Sequence, residues 1–235
     1  PDVFERLLLA CRPEGAIGVM ADRTAARNRA ILWTFMDTGM RASELCGLRL
    51  SDVNHEQRTL RVEGRSHERW LPLSPNGWYQ VLSYLKQRRP KKGFFEREGV
   101  VVEEPLFLSE TYEPLSINAL TLLFDRLRKR AGMSGQHINP SQLRDTFAIR
   151  YLRAGGEPDA LRALLGLRGK TALTRYEQVS TKKIEHGVQK EHAKEHPPGQ
   201  ELVLHTSKQR RKRSSSAATS KHHVTKSNSW PPKKP

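Results

Sequence analysis

Apolar residues recur at helical spacing from the first residues onward. Phe4, Leu7 and Leu8 open an amphipathic pattern, and Ile31, Leu32, Phe35 and Met36 share one face over residues 24–37, with Thr24 placed to cap that helix. A short helix from about Ala42 carries Leu45 and Leu48. The period then changes to two. In RTLRVEGRSHERWLPLS (58–74), Leu60 and Val62 precede a polar centre, and Leu71 and Leu73 follow it, which predicts a β-hairpin with a basic tip. Helical spacing returns over 76–88 and over 116–131, where Ser116 is the cap and Ile117, Leu120, Phe124 and Leu127 form the stripe. NPSQLRDTFAIRYLRAGG (139–156) is the cleanest helix: Pro140 stands near its start, Leu143, Phe147 and Tyr151 recur every four residues, and Gly155-Gly156 ends it. A short helix over 158–165 leads into the loosely patterned GLRGKTALTRYEQVS. No internal repeat is visible.

Composition divides the chain. After Pro197-Pro198-Gly199 it collapses into Lys, Arg, Ser, Thr and Pro, so 199–235 is expected to be a disordered basic tail. The formal net charge is +16, from 41 Lys and Arg against 25 Asp and Glu, which suits a polyanionic partner, most simply nucleic acid. From Lys182 onward, 13 Lys and Arg face 4 Asp and Glu, so the tail region holds +9 of that excess. KQRRKR (208–213) reads as a targeting patch or a DNA-contacting tail. Cys11 and Cys46 are too few for a disulfide framework and lack zinc spacing, which points to a reducing cytoplasm. No apolar run approaches the ~20 residues that span a bilayer, no leader pattern precedes Phe4, and the chain reads as starting inside a longer protein.

Three residues carry candidate chemistry: Arg41 after a Thr-Gly turn, Arg144 near a helix start, and Tyr176 downstream. Two converging arginines make a clamp for a phosphate. A tyrosine beside that clamp can attack phosphorus, and the guanidinium charges can neutralise what develops there, so neither a metal nor a cofactor is required. Each residue also has a plain reading. Arg41 could pair with Glu44 alone, Arg144 could be a solvated helix residue, and Tyr176 could pack against Leu173. His192 and His196, spaced i,i+4, lack a third ligand and read as a solvated face.

TGMRASELCGLRLSDV (38–53) resembles the first arginine box of the tyrosine recombinases, the phage-integrase family. NPSQLRDTFAIRYLRAGG resembles its second box, and LLGLRGKTALTRYEQVS its closing stretch, with Tyr176 nine residues after Leu167 as the family spaces its nucleophile. EHAKEHP (191–197) resembles the family's ending. The resemblance covers about residues 1–198 and implies a catalytic domain over that span, α+β and mostly helical, with a small antiparallel hairpin or sheet. It implies cutting and rejoining of double-stranded DNA in site-specific recombination, such as integration or excision of a mobile element. Tyr176 would form a 3′-phosphotyrosine, Arg41 and Arg144 would hold the non-bridging oxygens, and Glu44 would orient Arg41. It also implies tetramers on two duplexes, with Thr181, Ile184 and Val188 in a segment that packs on a neighbour, and a bacterial, nucleoid-associated location.

Three positions depart from the family pattern. Ser141 stands where the second box usually has histidine, and Leu167 where the closing stretch has histidine or tryptophan. The hairpin tip, EGRSHER, has Arg65 in place of a proton-donating lysine, with His67 the nearest titratable group. Arginine does not readily give up a proton. Ser141 reads more simply as a helix N-cap, and His137 is a candidate to replace the missing histidine. Two other readings therefore stay open. One is a DNA-binding relative that no longer cuts, and the other a helix-turn-helix-like regulator built on EPDALRALLGLRGKTALTRYEQ (157–178).

Overall fold

The computed structural model describes residues 2–12, 15, 17–64, 68–88, 96–97, 100–101, 103–169 and 171–181. Arg65, His67, Ile184, Val188, His192, His196 and the 199–235 tail lie outside these residues, as does the expected boundary at 198. Helix α1 (Val3–Leu9) starts at Asp2, whose carboxylate accepts the Glu5 amide at 2.8 Å. Helix α2 (Val19–Thr38) begins five residues before the apolar pattern predicts, with Gly18 at its N-cap, so Thr24 lies inside the helix rather than capping it. The added turn is held by polar packing that a hydrophobic count misses. Arg23 and Arg27 are buried and donate to the carbonyls of Glu110 (2.8 Å) and Leu108 (3.0 Å).

Helix α3 (Ala42–Gly47) and a 3₁₀ turn (Leu50–Asp52) lead into a three-stranded antiparallel sheet, β1 (Val53–Asn54), β2 (Thr59–Glu63) and β3 (Glu68–Pro72), in that order. The expected hairpin is β2–β3, with Leu60 opposite Leu71, Arg61 opposite Trp70 and Val62 opposite Arg69. Leu71 and Arg69 face inward, while Glu68 and Trp70 are exposed. A second pair, β4 (Glu96–Arg97) and β5 (Val100–Val101), was not legible in the hydrophobic pattern; each strand has two residues, too short to show a period.

Helix α4 (Pro75–Gln87) packs along α2, and its start is tied there by a relay. Ser74 Oγ accepts the Gly77 amide at 3.1 Å, while the Ser74 hydroxyl and amide donate to half-buried Asp37 Oδ2 at 2.7 and 2.9 Å. Burial pushes the Asp37 carboxyl up to about 6 from an ordinary 3.8, against the opposing pull of the Ser74 hydrogen bonds and Arg150. A raised folded pKa means that the folded state holds its proton more tightly than the unfolded one. The stabilisation is complete below the unfolded value and is lost as pH rises through about 6. Asp37→Asn keeps an acceptor without the titration. Its stability relative to wild type should rise by roughly 2 kcal/mol between pH 4 and pH 7. Parallel denaturant curves check this, and a difference independent of pH would refute it.

Helices α5 (Ile117–Arg130), α6 (Pro140–Arg153), α7 (Pro158–Leu165) and α8 (Thr171–Thr181) complete the described chain. Ser116 caps α5 as expected, accepting from the Ala119 amide. The cap of α6 is Asn139, which accepts from the Gln142 amide at 3.0 Å; Pro140 follows at the first helical position, so Ser141 is not the cap. The loosely patterned stretch is the regular helix α8. Two apolar cores result. The larger joins α1–α5 and the sheet and includes Leu143; the smaller gathers Phe147, Ala148, Tyr151, Leu161, Leu165, Leu173 and Tyr176. Helix α6 therefore contributes to both, and Arg144 falls between its two sets of core residues. Among the described residues no helix is long and apolar enough to cross a membrane.

Candidate active site

The Thr-Gly turn before Arg41 has a steric cause. Gly39 ends α2 in the left-handed region (φ +58°), and a Cβ there would lie 2.4 Å from Phe147 Cδ1 and 2.9 Å from Leu165 Cδ2. Only glycine lets α2 end against α6 and α7 while leaving its carbonyl facing Arg144. Arg144 Nη1 donates to Gly39 O at 2.7 Å and Nη2 to Leu165 O at 2.9 Å, and the residue is 9% exposed. The solvated reading of Arg144 is thereby excluded.

Arg41 starts α3 with its amide donating to Glu44 Oε2 (2.8 Å) and its Nη1 to Glu44 Oε1 (2.9 Å). Its Nη2 reaches Gly166 O at 3.1 Å, and its side chain stays 43% exposed. A third arginine joins these two. Buried Arg69, on β3, donates Nε to Leu164 O (2.8 Å) and Nη2 to Glu44 Oε2 (2.7 Å). Three guanidinium groups thus sit on the consecutive carbonyls 164, 165 and 166, at the C-terminus of α7, where the helix dipole favours cations. Gly166 makes the turn in the left-handed region (φ +60°), and a Cβ there would crowd Arg69 Nη1 at 3.1 Å.

The charges do not balance. Glu44 is the only carboxylate hydrogen-bonded to this trio among the described residues, so three positive charges meet one negative and two remain. Burial alone would raise the Glu44 carboxyl, but hydrogen bonds from Arg69 and Arg41 overcome it and hold the pKa below the ordinary carboxylate value. Arg144 is pushed down, first by burial and then by the nearby charge of Arg41. Arg41 and Arg69 open onto a cleft of about 900 Å³ lined also by Arg49, Arg61, Arg162, Arg168, Gly166 and Leu167, with Glu44, Asp52 and Glu63 as its carboxylates. Six arginines against three carboxylates leave the lining positive.

Tyr176, on α8, packs its ring into the smaller core beside Leu173 and is 7% exposed. Its hydroxyl donates to Asp145 Oδ1 at 2.7 Å, and Arg175 Nη2 donates to the same oxygen at 2.7 Å. Burial, then the Asp145 hydrogen bond and charge, push the phenol pKa above its ordinary value, while Arg144 and Arg175 pull it down. The helix α6 thus brings Arg144 and the partner of the Tyr176 hydroxyl to adjacent positions. Leu167 packs at the edge of the smaller core, Ser141 is exposed in the first turn of α6, and His137 is exposed in the loop before it.

The sequence profile of the phage integrase family matches residues 1–183. The chain belongs to that family. The tyrosine recombinase XerD of Xanthomonas axonopodis pv. citri is 34% identical over 178 residues, covering 74% of this chain and 56% of the relative. The tyrosine recombinase XerC of Bacillus pumilus is 34% identical over 159 residues, covering 66% and 50%. The chain therefore spans about half the length of these relatives. Its fold is similar to crystal structures of XerA recombinase (TM-score 0.59, 24% identity, 74% of this chain and 55% of that one) and of XerH site-specific recombinase bound to a palindromic difH substrate (TM-score 0.60, 18% identity, 77% and 49%). Membership in the integrase family sets aside the unrelated helix-turn-helix regulator.

Two residues of this candidate site went unnoticed in the sequence. Arg69 had a signal: it lies in phase with Leu71 and Leu73, opposite Val62, so its strand position is inward. Asp145 had none, because a single carboxylate on a helix reads as solvated until Tyr176, 31 residues away, is seen to meet it.

Proposed function

We propose that this chain carries the catalytic part of a site-specific DNA recombinase. Tyr176 attacks the scissile phosphodiester and is left bonded to its 3′ side, while Arg41 and Arg144 hold the non-bridging oxygens and Glu44 orients Arg41. Arg69 adds a third cation to the same anion site. The observation that carries the reading is the clustering of three guanidinium groups on carbonyls 164–166, two charges in excess, beside a buried phenol on the next helix. A phosphodiester supplies the missing negative charge, and preorganised donors stabilise what develops as phosphorus becomes five-coordinate. The bond energy is kept in the phosphotyrosine, so the strand can be rejoined without a nucleotide cofactor. The reading extends to integration or excision of a mobile element in the bacterial cytoplasm, with several copies assembled as a tetramer on two duplexes.

The test is a nicked suicide duplex, in which the cleaved end diffuses away, run on a denaturing gel. A covalent protein–DNA band is expected. Duplex binding without that band would overturn the enzymatic reading in favour of a DNA-binding relative that no longer cuts.

A further inference from the structure

The position that usually holds the second-box histidine is Ser141, whose hydroxyl is no base at neutral pH, yet a nucleophilic phenol must lose its proton. We infer that Asp145 is the catalytic proton acceptor for Tyr176, an inference that rests on the strand-cleavage reading above. The hydroxyl already donates to Asp145 Oδ1 at 2.7 Å, within direct transfer distance. Arg175 and Arg144, the charged groups on α8 and α6 beside the phenol, are guanidinium groups and cannot accept a proton. Arg175 holds the same carboxylate oxygen at 2.7 Å, so the acceptor is fixed before DNA arrives.

The timing follows from basicity. Carboxylates are weaker bases than phenolates, so the proton moves only as the phenol oxygen gives its electron pair to phosphorus. As Tyr176 Oη bonds to phosphorus, its O–H proton passes to Asp145 Oδ1. The bond from phosphorus to the 5′-oxygen breaks with its electron pair on that oxygen, which takes a proton from solvent water. In rejoining, the 5′-hydroxyl loses its proton to solvent as it attacks phosphorus, and Asp145 returns its proton to Tyr176 Oη. The raised phenol pKa agrees with this order, because it keeps the nucleophile protonated until a phosphate is in place.

Asp145→Asn is the informative variant. Its amide oxygen still accepts the phenol hydrogen bond, so position is kept and basicity removed. Single-turnover cleavage of the suicide duplex should fall by about 10²–10⁴-fold, with duplex binding within a few-fold of wild type. Asp145→Glu, which restores a carboxylate, should cleave faster than the Asn variant. A fluorinated tyrosine at position 176, with a more acidic phenol, should narrow the gap between wild type and Asp145→Asn; a purely structural role would leave the gap unchanged. Asn cleavage within a few-fold of wild type, or an unchanged gap, overturns the inference while leaving the recombinase reading intact. Absence of any wild-type adduct overturns both.

Discussion

Tyr176→Phe should bind duplex DNA within a few-fold of wild type and form no covalent adduct on the suicide substrate. Two features of the site make this the cleanest large effect available. The ring is packed with Leu173, Phe147 and Leu165 in the smaller core, and phenylalanine keeps all of that apolar contact. What leaves is one oxygen and its hydrogen bond to Asp145, which Arg175 continues to neutralise. Stability should therefore change by only about 1 kcal/mol, the net worth of an ordinary hydrogen bond. The proposed nucleophile, in contrast, is absent outright. Denaturing gels with the two proteins at matched duplex occupancy read the result directly. An adduct in the Phe variant would mean that another side chain attacks phosphorus, and the site would need a different centre.

The fold was legible wherever burial is apolar and periodic. The stripes over 116–131 and 139–156 became α5 and α6, and the change to a period of two marked β2 and β3. It was illegible where polar groups do the packing. The start of α2 rests on Arg23 and Arg27 bonded to loop carbonyls, so the apolar pattern began a turn too late. Helix α8 showed only loose spacing because one face meets the smaller core through few residues, chiefly Leu173 and Tyr176.

The site was legible in the same uneven way. Arg41, Arg144 and Tyr176 could be named from motif spacing, and the choice between Glu44 and an anion as the partner of Arg41 proves incomplete. Arg41 takes Glu44, takes Gly166 O, and still leaves the trio two charges in excess. Backbone carbonyls as arginine partners cannot be read from a sequence, since every residue has one. That is why the convergence of Arg41, Arg69 and Arg144 on the end of α7 required the structure. The cap of α6 illustrates a smaller ambiguity. Asn139, Pro140 and Ser141 offer two capping side chains, and the proline settles the choice, because its fixed φ suits the first helical position and leaves the cap to the residue before it.

Arg144 joins stability and chemistry, so its replacement should have the largest combined effect. Its guanidinium bridges Gly39 O at the end of α2 and Leu165 O at the end of α7, from its own place on α6. Arg144→Ala leaves two buried carbonyls without that donor. Hydrogen bonds from a charged group are worth about 1.5–3 kcal/mol each, so a loss of roughly 2–4 kcal/mol in unfolding free energy is expected once relaxation offsets part of it. The same change removes a preorganised cation from the proposed phosphate site, which by comparison with single oxyanion donors should cost a further 10²–10³-fold in cleavage. Arg144→Lys separates the two. A single ammonium cannot span carbonyls on two different helices, yet it keeps the charge. Lysine should therefore retain DNA affinity better than alanine while cleaving little faster. Denaturant unfolding, duplex binding and single-turnover cleavage, measured on all three proteins, give the comparison. Cleavage by the alanine variant within tenfold of wild type would remove Arg144 from the chemistry and leave it a purely structural tie between α2, α6 and α7.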